Sequence, residues 1–138
     1  MRLDRAAIAA LVPHAGAMCL LHEVLEADGE RILARAISHR DPSHPLREGN
    51  ALPALCGVEY AAQAMAVHGA LQKGAAQPGM LAALRDVELA AARLDDLAGD
   101  LMVEARCVRN ESGRLLYEFW IRANERLLLH GRATVVAR

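Results

Sequence analysis

The sequence has few cysteines, and they are not spaced for cross-links or metal binding. Its 138 residues contain three, Cys19, Cys56 and Cys107, an odd number without a Cys-x-x-Cys pair. Disulfide-stabilised secreted domains contain many paired cysteines, and structural zinc sites place Cys or His at short, regular spacings. The six histidines also lack such spacing. We therefore interpret the cysteines as core thiols in a reducing cytoplasm and expect no metal site.

The sequence also lacks an excess of one charge and a long apolar run. Sixteen basic and seventeen acidic side chains give a formal net charge of −1, which argues against a scaffold held on nucleic acid by nonspecific phosphate contacts. The apolar run near the amino terminus is short and ends at Pro13, so it predicts neither a signal peptide nor a membrane span. We expect a soluble cytoplasmic protein that binds neither nucleic acid nor membrane.

The residue pattern predicts one α+β domain over residues 1–138, because 54% apolar content is enough for one ordinary core. A short helix with Asp4 as its cap is predicted first, and a long apolar helix is predicted from about residue 54 to 73, ending near Gly74. Strand-like runs occupy residues 18–26, 31–37, 84–91, 101–109, 115–123 and 127–136. The predicted order after the short helix is β-β-α-β-β-β-β.

One long apolar helix and one antiparallel sheet favour a particular architecture. A helix that is apolar on most sides must be covered, and a sheet that wraps around it provides the cover. This arrangement is the hot-dog fold. Two such subunits commonly join their sheets edge to edge, which also protects the open strand edges. We therefore expect a homodimer or a higher hot-dog oligomer.

Two polar residues near the start of the long helix indicate chemistry. His44 lies in a loop rich in proline and glycine, fifteen residues before Glu59, and Glu59 lies in a helix made largely of Ala, Val, Leu, Met and Gly. Polar side chains in such a helix are expected to be buried or to line a cleft. This expectation applies to Glu59 and also to Gln63, one turn further along.

These segments resemble a motif of the hot-dog 3-hydroxyacyl-[acyl carrier protein] dehydratases of fatty-acid and polyketide synthesis. Those enzymes carry a leading motif like LPHR before an apolar strand, then HFPGxPxMPGxLxxEAxAQ, with Glu or Asp at the acidic position. The corresponding segments here read LVPHAGAMCLLHEVLE and HPLREGNALPALCGVEYAAQ. The resemblance is one of specific motifs over about residues 11–71. Beyond them, only the order of the predicted elements is similar.

The resemblance implies roles for individual residues. Dehydration removes a proton from C2 of the 3-hydroxyacyl thioester and expels hydroxide from C3. His44, at the position of the motif histidine, would be the general base. Glu59, with a pKa raised by apolar surroundings, would protonate the departing oxygen. An amide at Ala54 or a neighbouring residue would polarise the thioester carbonyl. Gln63 matches the motif glutamine, and small or flexible side chains including Ala62 and Met65 would line an acyl tunnel.

The resemblance also implies the partners. The substrate would be carried on the phosphopantetheine of acyl carrier protein, and no metal or redox cofactor would be needed. In the family the active site spans the dimer interface, so His44 of one subunit would face Glu59 of the other. Arg40, Arg47 and Arg85 are candidate docking residues for the acidic carrier protein.

The sequence departs from the motif at two places. His44-Pro45-Leu46-Arg47 stands where the motif has HFPG, with one extra residue before the acid, and Pro53-Ala54 replaces Pro-Gly. This divergent pattern resembles dehydratases of polyketide-like and aryl-polyene pathways, some of which act beside a second hot-dog subunit. A heterodimer is therefore an alternative to a self-dimer.

Other interpretations of the same residues stay open. Glu59 could be a structural acid paired with Arg47 or Arg85, and a structural role that satisfies backbone groups is favoured for Gln63. Among the other histidines, His68 is expected in the core, His14 at the entrance to the first strand, and His22, His39 and His130 at the surface or an edge. Alternative functions are an acyl-CoA or acyl-carrier thioesterase, which needs no loop histidine, and a noncatalytic hot-dog partner.

Overall fold

The computed structural model describes residues 2–12, 16–74 and 79–137. The predicted helix end at Pro13 and the position of His14 lie outside the described residues. Within the described ranges, no helix is both long enough and apolar enough to cross a bilayer.

The observed elements follow the predicted order. The helices are α1 (Arg5–Leu11) and α2 (Gly57–Lys73), and the strands are β1 (Glu23–Ala27), β2 (Arg31–Ala36), β3 (Gly79–Leu89), β4 (Leu101–Glu111), β5 (Arg114–Ala123) and β6 (Arg126–Ala137). Asp4 caps α1 as expected, because its carboxylate accepts the Ala7 amide at 2.9 Å. The first strand begins later than predicted, at Glu23, because residues 16–18 form a 3₁₀ turn and the next residues bond to α2 instead of to a strand.

The long helix α2 begins after a short 3₁₀ turn at Ala54–Cys56 and ends at Gly74. Gly74 has φ of +77°, the left-handed conformation that glycine adopts without steric cost and that commonly ends a helix. The bounds of the predicted helix, about 54 to 73, therefore agree with the structure once the 3₁₀ turn is included.

The strands form one antiparallel sheet in the order β1-β2-β4-β5-β6-β3. The helix α2 packs mainly on β4, β2 and β5, and the buried residues of alternating strand positions, such as Ala105 and Phe119, form the core with it. A sheet around a central helix is the hot-dog fold, and the predicted fold class is confirmed.

Strand β3 forms one edge of the sheet and exposes large apolar side chains. Leu84 and Leu89 are 41% and 49% exposed, although their partners across β6, Ala133 and Leu129, are buried. An open edge with exposed leucines is a surface on which a second subunit would bury apolar area.

A tight contact between sheet residues gives a stability prediction. A Cβ on Gly131 would lie 2.9 Å from Val87 Cγ2 and 3.0 Å from Phe119 Cζ, so Gly131→Ala should lower the free energy of unfolding by about 1–3 kcal/mol through overpacking. The matched control is Gly69→Ala in α2, where an added Cβ meets nothing within 4 Å. This variant should raise the free energy of unfolding by about 0.5–1 kcal/mol, because alanine favours a helix over glycine. Urea unfolding of both variants measures the difference. Equal changes would contradict the packing argument.

Candidate active site

The loop that carries His44 is held in shape by Arg47. The Arg47 guanidinium donates to the carbonyls of Asp41 at 2.9 Å and Asn50 at 3.0 Å, and it also reaches that of His39. These bonds tie the two ends of the loop together and place His44, which is 5% exposed, against the start of α2. The hydrogen bonds of the Arg47 side chain therefore stabilise the loop.

The backbone fixes which ring nitrogen of His44 carries the proton. The Leu46 N–H donates to His44 Nδ1 at 3.1 Å, so Nδ1 must be an acceptor. In a neutral imidazole the other nitrogen then carries the hydrogen. Burial, helped by the Arg47 charge, lowers the pKa of His44 below its ordinary value, so the neutral form dominates near pH 7. His44 accordingly presents an N–H at Nε2.

The Tyr60 hydroxyl accepts that N–H and forms a second hydrogen bond, to Ser38. His44 Nε2 lies 3.0 Å from the Tyr60 hydroxyl, which lies 2.7 Å from Ser38 Oγ. Because Ser38 donates its proton to the Leu20 carbonyl, Tyr60 must be the donor to Ser38. Burial raises the pKa of Tyr60 to about 12, so the hydroxyl stays protonated. Every member of this chain is satisfied within one subunit.

Glu59 is placed differently from His44. Its side chain is half-buried, and no hydrogen bond or ion pair to the Glu59 carboxylate occurs among the described residues. The ion pair of Glu59 with Arg47 or Arg85, which the sequence left open as a structural role, is therefore not formed among the described residues. Neighbouring residues on a helix point about 100° apart, and it is Tyr60, not Glu59, that contacts His44. The structure does not join His44 and Glu59 within one subunit.

Gln63 has the structural role that the sequence favoured. It is fully buried, its Oε1 accepts the Leu20 amide at 2.8 Å, and its Nε2 donates to the Met18 carbonyl at 2.6 Å. Both ends of the amide are thus engaged with the segment that precedes β1. Gln63 anchors this segment to α2, and the same segment supplies the Leu20 carbonyl that ends the Tyr60 chain.

The remaining residues of the sequence-based site lie in different surroundings. The Ala54 N–H donates to the Ala92 carbonyl at 3.0 Å, so this amide is not free for a substrate oxygen and a neighbouring amide would have to serve. Met65 is only 4% exposed and packs in the core. Ala62 is half-buried and lies one turn after Glu59 on the same helix face.

Two functional candidates were missed by sequence reasoning, namely Tyr60 and Ser38. The signal for Tyr60 was present, because a tyrosine directly follows Glu59 where the family motif has alanine. Ser38 carries no comparable signal, since its contacts with Leu20 and Tyr60 join residues 18 and 22 positions away.

One expectation about the histidines was wrong and another is confirmed. His39, expected at the surface or an edge, is fully buried. Its Nε2 lies 2.9 Å from the Gly99 carbonyl, while its Nδ1 has no hydrogen-bond partner in the described residues. His68 is in the core as expected, 2.7 Å from the Tyr117 hydroxyl and 2.8 Å from the Asp28 carbonyl. Burial lowers the pKa of both histidines.

The described residues contain no group of three His, Cys, Asp or Glu side chains that could hold a metal ion.

Comparisons with known proteins give the family. A family model described as "ApeP-like: ApeP dehydratase" matches residues 6–138. A solved structure titled "The Dehydratase Heterocomplex ApeI:P from Xenorhabdus doucetiae" is similar, with 21% identity, a TM-score of 0.84, and coverage of 95% of this chain and 90% of that one. No curated protein sequence matches the chain.

Two further solved structures share the fold. AziG from S. sahachiroi is 16% identical with a TM-score of 0.67, and the match covers 92% of this chain and 97% of that one. Thioesterase superfamily member 2 from Mus musculus is 9% identical with a TM-score of 0.58, and the match covers 83% of this chain and 79% of that one. At these identities the likeness shows the fold alone.

The hydrogen bonds of His44 give a prediction for Tyr60→Phe. Removing the hydroxyl leaves the buried His44 Nε2–H without its acceptor, so the free energy of unfolding should fall by about 1–3 kcal/mol. The His44 tautomer should not change, because the Leu46 amide sets it. Urea unfolding measures the first effect, and long-range ¹H–¹⁵N correlation spectra of the imidazole at pH 7.5 measure the second. A proton on Nδ1 in the unmodified protein would contradict the assignment.

The three buried histidines predict the pH dependence of stability. The pKa values of His39, His44 and His68 are lowered in the fold, while those of the unfolded chain lie at about 6.5. The unfolded state therefore binds more protons below about pH 6.5, and stability falls as pH falls. The slope should approach about 1.4 kcal/mol per pH unit for each histidine. Urea unfolding between pH 7.5 and 5.5 tests this, and His68→Asn should reduce the slope. A flat profile would contradict it.

Proposed function

The chain belongs to the ApeP-like dehydratase family, and from this premise we propose that it acts on a 3-hydroxyacyl thioester carried on acyl carrier protein. The product would be the trans-2-enoyl thioester, in fatty-acid, polyketide or aryl-polyene synthesis. The reaction balances without a redox partner, because the proton from C2 and the hydroxyl from C3 leave as water. No metal or redox cofactor enters the proposal.

The observation that supports this most is the state of Glu59. A half-buried carboxylate in an apolar helix, with no partner among the described residues, is available to a substrate that enters from that side of α2. In the proposal, Glu59 is the general acid that delivers a proton to the C3 oxygen as the C3–O bond breaks. A structural acid would instead be paired, because an unpaired buried charge is costly.

His44 is proposed as the base that takes the C2 proton, and the structure sets a condition on that role. The resting imidazole has its Nδ1 lone pair directed at the Leu46 amide and its Nε2 proton at Tyr60. A base needs a free lone pair directed at the substrate. In the proposal, the ring therefore turns when the substrate binds, so that Nδ1 leaves the Leu46 amide and directs its lone pair at the C2 proton, as apo catalytic contacts often rearrange in the substrate complex.

The proposed site is completed by a second hot-dog subunit. No hydrogen bond joins His44 and Glu59 of one chain, which favours an active site in which each subunit supplies one of them. The exposed leucines of the β3 edge, Leu84 and Leu89, offer a surface for that subunit. The similar ApeI:P structure is a heterocomplex, which supports a different hot-dog chain as the partner, with a self-dimer as the alternative.

The experiment measures enoyl formation with two variants and one control. The chain is assayed alone and with a co-expressed hot-dog partner on a 3-hydroxyacyl thioester of holo acyl carrier protein, while enoyl absorbance and free thiol are followed. Glu59→Gln and His44→Ala should each lower kcat by about 10²- to 10⁴-fold. The control Glu125→Gln, in the exposed turn between β5 and β6, should leave the rate unchanged.

Other outcomes would identify the alternatives. Thiol release without enoyl product, retained in His44→Ala, would show a thioesterase. Tight binding of the acyl carrier without turnover in either assembly, and without an effect of Glu59→Gln, would show a noncatalytic partner. Full activity of both variants would contradict the proposed residues.

A further inference from the structure

The face of the sheet that points away from α2 carries a cluster of arginines. Along β6 the buried residues Gly131 and Ala133 face the core, so Arg132 between them points outward. Arg132 lines a hollow of about 340 Å³ together with three more arginines, Arg85, Arg109 and Arg114. All four side chains are exposed.

The cluster contains one unfavourable pair of like charges. Arg85 and Arg132 are direct cross-strand partners in the β3–β6 register, where like charges destabilise a sheet, while Glu118 lies opposite Arg132 on the other side, in β5. One acid lines the hollow, Glu111, and it lies 3.7 Å from Arg109 with both side chains largely exposed. Among the described residues, no ion pair joins Arg85, Arg114 or Arg132 to an acid. A chain with a net charge of −1 thus concentrates positive charge on one surface.

The other arginines considered for docking are already engaged. Arg40 donates to the Ala98 carbonyl and to Asp100, and Arg47 holds the loop of His44. Their hydrogen bonds belong to the fold. Of the three candidate docking residues from the sequence, Arg85 is therefore the one whose charge is available to a partner.

Strand β3 runs from the cluster toward the candidate active site. Beyond the end of β3, Ala92 accepts the Ala54 amide at the start of α2. The seven residues from Arg85 to Ala92 span at most roughly 23 Å in extended conformation. A partner held at the arginines would lie beside the β3 edge, where the second subunit is proposed to complete the site.

From these observations we propose that Arg85, Arg109, Arg114 and Arg132 form the docking surface for an acidic acyl carrier protein. The inference rests on the proposed function and names where the partner binds. Its acidic side chains would neutralise the opposed arginines, and complementary charge would act mainly on the rate of encounter. The flexible prosthetic arm would then reach Glu59 along the junction between β3 and the second subunit.

The test measures the KM of a double variant of the active assembly for three thioester substrates. Arg85→Gln with Arg132→Gln removes the opposed pair without adding repulsion, and Lys73→Gln, an exposed residue at the end of α2, is the matched control. KM for the carrier-linked substrate should rise roughly fivefold or more at low salt, with kcat retained. KM for the CoA and N-acetylcysteamine thioesters should not change, nor should any value for Lys73→Gln.

A binding measurement separates this inference from the proposed function. Affinity for holo acyl carrier protein without an acyl chain, measured by titration calorimetry at 50 and 200 mM salt, should fall in the double variant even if no thioester is dehydrated. Unchanged affinity and KM would overturn the docking surface. An equal rise of KM for the CoA thioester would also overturn it, because a phosphate site would then explain the arginines.

Discussion

The burial of α2 inside the curved sheet is the constraint on which the rest of the structure depends. A helix covered on most sides must have each polar group matched inside the protein, because an unpaired buried group costs about 1–3 kcal/mol. Tyr60, Gln63 and His68 meet this condition through hydrogen bonds to other parts of the chain. Glu59, on the less covered side of the helix, has no such partner among the described residues, and its proposed role as the acid depends on this difference.

The same constraint explains how the loop of His44 is tied to the helix. Tyr60 links the imidazole to Ser38 and the Leu20 carbonyl, and Gln63 holds the Leu20 amide from the other side. The segment before β1, the loop and the helix therefore form one hydrogen-bonded unit. Substitutions of its members should therefore have stability effects that do not add independently, because hydrogen bonds in one network are coupled.

The two faces of the sheet serve different purposes. The inner face, represented by Phe119, is apolar and covers α2. The outer face carries charge, and Arg85 and Arg132 lie opposite each other across β3 and β6, with Glu118 opposite Arg132 on β5. A partner with acidic side chains would offset the like charges of the arginine pair. The β3 edge joins the two faces and is where docking and subunit pairing would meet.

The sequence by itself determined the order of the elements, the fold class and the identity of the two candidate residues. Periodicity and caps are local properties, so α2 and its end at Gly74 could be predicted. The tertiary structure alone decided that His39 is buried, that the Ala54 amide is occupied and that Leu46 sets the proton on His44. These outcomes depend on which distant groups pack together and on how a loop folds back on itself, and residue spacing does not encode either one.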